Sequence, residues 1–534
     1  MKTRLLLAAT LLAFCSAAEA QEVHRWWVEF TDKAGSPYSI GNPSEYLGPR
    51  ALERRARLGI GIDSLDLPVS PAYTEALRQT GGTLWAVSRW LNGALLYAAD
   101  STGMAATLRS LPGVAHAEYY GVGSLDRVDP PNWNDGEQRT PQSYDRPYSP
   151  EYYGLAYDNI NTLNGIALHR AGYEGQGMLV GVCDGGFSGV DTLAAFAALR
   201  NEGRLAATRD FVYGGTDVFD IHSHGTRVLS NLAAYLPGLY VATAPQASYI
   251  LCRTEDSGSE SPVEEYLWAA AVEYMDSLGV DVVNTSLGYR VFDDSSLNYP
   301  DEALDGQTAP MTRAANAAAQ RGILMVVAAG NDGYDPGPNI GVPADSPAAL
   351  TVGAMERDGW RAVFSSFGPT ADGRIKPDIM VLGQDVWVVN PDGTLEEVRG
   401  TSFASPIAAG LATCMAQRYP TLGPAAWCDS IRSWGDRAAQ PDDQYGYGTP
   451  DFGLALRGNP PAGIGDTPLS ANDEPVLRTE LYDITGRRLP VRQSQHSPIL
   501  NSQLSILNSP LPRGIYFLRL VTPSGTRTKK VVKP

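Results

Sequence analysis

Four polar residues have the types that acyl-transfer chemistry requires, and each sits in a setting that would fix its position. Ser402 lies in Gly400-Thr401-Ser402-Phe403-Ala404-Ser405-Pro406, ahead of an apolar, Ala-rich run from Ile407 to Met415. Proline suits the first turn of a helix, where its missing N–H costs nothing, so Pro406 places Ser402 at a helix N-terminus. Free backbone N–H groups there can stabilise negative charge on an attacked carbonyl oxygen. Serine also caps helices for purely structural reasons, and that stretch by itself favours a cap. Asp184 ends an apolar run and precedes Gly185-Gly186; taken alone it reads as a turn aspartate. His224 opens a helix in His222-Ser223-His224-Gly225-Thr226, with Gly225 permitting close backbone approach. His222 competes for the role of base and reads instead as a satisfied neighbour. Asn331, in Gly330-Asn331-Asp332-Gly333, can donate its amide to a developing oxyanion beside the Ser402 N–H, or simply shape a turn. Each residue is a weak signal alone. Together they supply a nucleophile, a base, an orienting carboxylate and a second oxyanion donor.

The elements that must hold them read as an α/β domain over 153–457. Apolar strands at Met178 to Cys183, Ala247 to Cys252, Val280 to Asn284 and Ile323 to Ala329 alternate with helical runs. The helices are His224 to Tyr235, Pro262 to Leu278 and Met311 to Arg321. Continuous apolar strands between helices predict a buried parallel sheet. Functional groups gather beyond the carboxyl ends of such strands. All four candidates fall at a strand end or a helix start, where they can converge.

The chain has 534 residues, too long for one hydrophobic core, and about three domains are expected. A net charge of −17, from 42 basic and 59 acidic residues, argues against nucleic acid and anionic membrane surfaces as partners. Residues 1–20 read as an export signal: Lys2 and Arg4 precede the apolar run Leu5 to Phe14, and Ala18-Glu19-Ala20 suits cleavage. That run is too short to span a membrane, and no later segment reaches the length. Residues 21–125 read as a small β-α-β-β-α-β domain, with a basic helix at Pro49 to Leu58. A Pro-, Asn- and Gly-rich linker covers 126–152. After a second linker at 458–470, residues 471–534 read as a small β-sandwich, interrupted where Ile499-Leu500-Asn501-Ser502 recurs as Ile506-Leu507-Asn508-Ser509. Of five cysteines, Cys414 and Cys428 could close a short loop in an oxidising compartment. Cys183 and Cys252, in apolar strands, read as buried free thiols.

Along the chain the order is Asp, His, Asn, Ser, and Asp…His…Ser is the triad order of subtilisin rather than of chymotrypsin or the α/β-hydrolases. Here the chain resembles the subtilisin-like serine proteases throughout its middle domain. Asp184-Gly185-Gly186-Phe187, His224-Gly225-Thr226 and the Ser402 stretch look like the family's three motifs, and Ala244-Pro245-Gln246-Ala247 resembles a connecting segment. Arg227 departs from the second histidine often found there, outside the triad. The flanking Asp66-Leu67-Pro68-Val69-Ser70 and Trp90-Leu91-Asn92 resemble subtilases of Bacteroidetes-type bacteria. So do the tail's Tyr482-Asp483-Ile484-Thr485-Gly486-Arg487 and Gly514-Ile515-Tyr516.

The resemblance implies a secreted serine endopeptidase acting through Asp184, His224 and Ser402, with Asn331 and the Ser402 N–H as oxyanion hole. Ser286-Leu287-Gly288 would pair with substrate, and Ala328-Ala329-Gly330 would line the first specificity pocket. It further implies an inhibitory propeptide as first domain, and a tail similar to the sorting domain of the type IX secretion system. The partners are then protein or peptide substrates, the propeptide and the secretion machinery. No cofactor is required; calcium binds many relatives, but no liganding loop is evident. Two other readings stay open: a surface-binding protein on an inactive scaffold, and an esterase or peptide ligase using the same serine.

Overall fold

The computed structural model describes residues 22–124 and 147–457, together with the backbone of four strands between 478 and 533. The leader at 1–20, residues 126–146 of the 126–152 linker, the 458–470 linker and the repeated segment at 499–509 lie outside the described residues; the linker's last residues already enter a helical turn, Pro150–Tyr153. The chain divides into two units, Met1–Ile464 and Gly465–Pro534.

In the first unit, β1 (Glu22–Phe30), α1 (Pro49–Leu58), α2 (Pro71–Arg78), β2 (Thr83–Ser88), β3 (Gly93–Ala98), α3 (Met104–Ser110) and β4 (Val114–Ser124) build the N-terminal domain. Its antiparallel sheet runs β2-β3-β1-β4. Strand alternation sends Trp26, Val28 and Phe30 to a core beneath α2 and α3, while Val23 and Trp27 face the larger domain.

The larger domain is α/β, as expected. Its strands are β5 (Leu179–Asp184), β6 (Leu205–Asp210), β7 (Ser248–Arg253), β8 (Val282–Thr285), β9 (Leu324–Ala328), β10 (Leu350–Met355) and β11 (Ile379–Leu382). They pair in the order β11-β10-β9-β8-β5-β7-β6, and every pairing is parallel. Alternation again sorts the side chains. Val180, Val182, Leu324 and Val326 enter one core, and Leu179, Cys183, Met325 and Val327 the other. The first core is covered by α4 (His224–Ala233), α7 (Thr401–Arg418) and α8 (Pro424–Ser433). The second is covered by α5 (Val263–Leu278), α6 (Pro310–Gln320) and the N-terminal domain's sheet. Two limits differ from the sequence reading by two residues, the others by one at most: α4 ends at Ala233, and the strand read from Val280 begins at Val282.

The N-terminal domain is clamped onto α5. Trp27 stacks on Tyr266 with ring centroids 4.0 Å apart, and Glu273 accepts from the backbone of Arg89 (2.7 Å) and Trp90 (3.0 Å). Two of the four arginines of α1 are not solvated. Arg54 and Arg55 are buried and, with Arg89, donate to the Asp276 carboxylate. Burial by itself would raise this carboxyl group, but the three guanidinium groups hold it down at about 2.

All four described cysteines are free and buried, so the loop-closing disulfide considered for Cys414 and Cys428 is absent. Cys414 and Cys428 sit in the core between α7, α8 and the sheet, Cys183 and Cys252 in the core on the other face. Burial pushes the Cys428 thiol up to about 11. In the second unit, the described strands form one antiparallel sheet: Arg478–Asp483, Arg488–Leu489, Gly514–Thr522 and Gly525–Lys533.

Candidate active site

Asp184 is the last residue of β5 and is fully buried. His224 is the first residue of α4, one quarter exposed. A Cβ on Gly225 would stand 2.3 Å from the Gly186 carbonyl and 2.9 Å from the Asp184 Cβ, so only glycine lets α4 approach the carboxylate this closely. His224 Nδ1 lies 2.9 and 3.0 Å from the two Asp184 oxygens. A carboxylate only accepts, so Nδ1 holds the proton in the neutral ring and Nε2 keeps a free lone pair. Burial draws the His224 pKa down, but the charge of Asp184 and its hydrogen bond outweigh that and leave it raised.

Ser402 is the second residue of α7, which begins at Thr401 after Gly400. Gly400 has φ +151° with ψ 148°, a conformation essentially restricted to glycine. Pro406 therefore falls in the second turn rather than the first. A proline there leaves the carbonyl four residues earlier without its helical donor. That carbonyl belongs to Ser402, and Ser286 Oγ donates to it at 2.8 Å, which accounts for the tolerated proline. Ser286 Oγ in turn accepts from Asn284 Nδ2 at 3.0 Å, and Ser405 Oγ donates to Asn284 Oδ1 at 2.8 Å. The start of α7 is thus tied to the end of β8. Ser402 Oγ donates to the Ser286 carbonyl at 3.2 Å.

Asn331 follows β9 by three positions. Its Oδ1 accepts from the Thr401 N–H at 3.0 Å and the Thr401 hydroxyl at 3.1 Å. A backbone N–H can only donate, so this contact fixes which end of the amide is oxygen and leaves Nδ2 uncommitted. The Ser402 N–H, in the first turn of its helix, has no intrahelical acceptor either.

One cleft collects these groups. His224, Ser286, Leu287, Gly288, Ala328, Ala329, Gly330, Asn331 and Ser402 all line it, with Asp184 buried behind His224. His222, Glu255 and Thr401 also line it. His222 is not the satisfied neighbour expected, because its Nδ1 is buried without a hydrogen-bond partner. Glu255 escaped the sequence reading. It stands just beyond the carboxyl end of β7, the position that made Asp184 a candidate, and that signal could have found it. Thr401 escaped too, since its partner Asn331 is distant in sequence. Arg227 bonds Asn390 Oδ1 at 2.7 Å, away from the His224–Asp184 pair.

Residues 175–448 match the model of the subtilase family, and residues 25–135 match the Peptidase S8 propeptide domain of Bacteroidota. The chain is 31% identical over 286 residues to subtilisin NAT of Bacillus subtilis subsp. natto, covering 53% of this chain and 67% of that protein. It is 29% identical over 293 residues to subtilisin DY of Bacillus licheniformis, covering 53% and 94%. Against the serine protease AprX of Bacillus subtilis (strain 168) the figures are 30% over 306 residues, with 51% and 65% covered. The matched core spans the parallel sheet and the cleft beyond the carboxyl ends of its inner strands, and the matched propeptide includes the domain clamped on α5. The chain belongs to the subtilase family.

Proposed function

We propose that this subtilisin-like serine endopeptidase hydrolyses peptide bonds through Asp184, His224 and Ser402, and that it does so after export. The observation that carries the reading is the cleft itself, where Ser402, the Asp184-bound imidazole and two uncommitted N–H donors meet. In the reaction, Ser402 Oγ leaves the Ser286 carbonyl, attacks the scissile carbonyl and gives its proton to His224 Nε2. Asp184 holds the ring in the Nδ1–H form and stabilises the imidazolium. Asn331 Nδ2 and the Ser402 N–H receive the oxyanion. His224 then delivers its proton to the leaving amine, and water resolves the acyl-enzyme.

Substrate lies as an added strand along Ser286-Leu287-Gly288. Ala328-Ala329-Gly330 shapes the first specificity pocket, where small side chains leave room for an apolar or varied substrate residue. Export rests on the 1–20 leader, and no described helix is long and apolar enough to cross a membrane. Release of 21–125 within the 126–152 linker would open the cleft to substrate. The 471–534 tail would serve the type IX machinery, placing the protein outside the cell or on its outer surface. Incubating the matured wild type and Ser402→Ala with a peptide and a simple ester tests the chemistry. Peptide cleavage by the wild type alone is expected; ester hydrolysis or peptide ligation without peptide hydrolysis would overturn the assignment.

A further inference from the structure

Beside His224 lies a set of three groups of which peptide hydrolysis uses only Asp184. Asp184, His222 and Glu255 each bring one ligand atom, two carboxylate oxygens and an imidazole nitrogen, to within 4.8 Å of one another. Two of the three are uncommitted. His222 Nδ1 is buried with no hydrogen-bond partner, in a residue held at φ +32°. Glu255 is part-buried and makes neither a hydrogen bond nor a salt bridge. Its cationic neighbour Arg253 is occupied by the Gly185 carbonyl and Asp210. The two atoms converge on the bare face of Gly185. A Cβ built there would lie 2.7 Å from Glu255 Oε2 and 3.1 Å from His222 Nδ1. Any larger residue at 185 would fill this space.

We propose that Asp184, His222 and Glu255 form an inhibitory site for a divalent transition metal of the zinc class. One imidazole and two carboxylates, with water in a fourth position, suit zinc; calcium takes six to eight oxygens and is a poor match. Ligand atoms must close to about 3.5 Å for bonds of about 2.0–2.2 Å, and Glu255, tied to nothing, is free to make that move. Both Asp184 oxygens face His224 Nδ1, so a metal that takes one of them draws charge away from the imidazole. Hydrolysis then stops until the metal leaves. The site opens to the substrate cleft, since His222 and Glu255 line it. The inhibitory consequence rests on the proposed hydrolytic function; the binding of metal does not.

The test has two arms. Zinc chloride is titrated calorimetrically into full-length Ser402→Ala, where no turnover intervenes, and cobalt(II) is added to the same protein for its visible absorption. In parallel, peptide hydrolysis by the matured wild type is followed with zinc, with calcium and after a chelator. One zinc per chain, a tetrahedral cobalt spectrum and zinc inhibition reversed by the chelator are expected. His222→Asn, which tolerates the left-handed backbone, and Glu255→Gln should each weaken zinc binding and inhibition at least about tenfold. Inhibition is scored relative to each variant's own uninhibited rate. No zinc binding to Ser402→Ala, equal inhibition by calcium, or unchanged affinity in both variants would overturn the site. A wild type that binds zinc but cleaves no peptide would refute the hydrolytic function and leave the metal site standing.

Discussion

Asn331 shows how a single side chain is prepared for one task. Thr401 takes its oxygen by two hydrogen bonds, which leaves the amide nitrogen available to the cleft. Asn331→Ala should keep the fold and KM but lose about 10²–10³ in kcat, the scale found for the corresponding side-chain donor in subtilisin itself, a relative of this chain. Steady-state kinetics with a peptide substrate checks this, and an unchanged kcat would remove Asn331 from the site. The His224 pKa is raised above its ordinary 6.5, and hydrolysis needs the neutral ring. Activity is therefore full above the raised value and lost as pH falls through it. The acid limb of kcat/KM should lie above pH 6.5. In Asp184→Asn the main raising influence goes while burial remains, so the acid limb of the residual activity should move to lower pH than in the wild type. Asp184, His224, Asn331 and Ser402 were legible as candidates in the sequence because each sits at or just beyond a strand end or helix start, within two residues of a glycine. Thr401, His222 and Glu255 were not, because what matters about them is a partner, or the lack of one, brought near only by folding.

At the scale of elements, the four strands and three helices read in the larger domain fall within two residues of their observed limits, since apolar runs and Ala-rich segments carry distinct periods. The strands Leu205–Asp210, Leu350–Met355 and Ile379–Leu382 were not read. Pro406 lies one turn deeper in α7 than the preference of proline for helix starts suggests, because the Ser286 side chain, just past β8, substitutes for the missing donor. The fit of α1 on α5 was not legible at all. A run of arginines reads as a solvated face until a buried carboxylate is placed beneath it. Asp276 receives Arg54, Arg55 and Arg89, all from the N-terminal domain. Removing one partner of a buried ionic cluster costs about 3–5 kcal/mol, because the remaining charges stay buried without compensation. Asp276→Asn, made in Ser402→Ala, should speed amide hydrogen exchange across Glu22–Ser124 by at least about 10²-fold, while the parallel sheet of the larger domain exchanges as before. Equal protection in the two proteins would mean that the domain is held by its aromatic contacts, led by Trp27 on Tyr266.

Over the whole molecule, a family propeptide and a family protease core share one compact unit, and the N-terminal sheet completes a core of the larger domain. Separating them exposes Trp27, Trp90 and Tyr266 together with the arginine cluster, so maturation is a large structural event. The central claim is that Ser402 is the nucleophile of the mature protein. A serine-directed fluorophosphonate, applied to the wild type and to Ser402→Ala after removal of the N-terminal domain, tests it most directly by peptide mass mapping. A single adduct on Ser402 in the wild type, and none in the variant, is the expected result. A folded wild type freed of that domain with no adduct, or labelled equally with the variant at another serine, would contradict it.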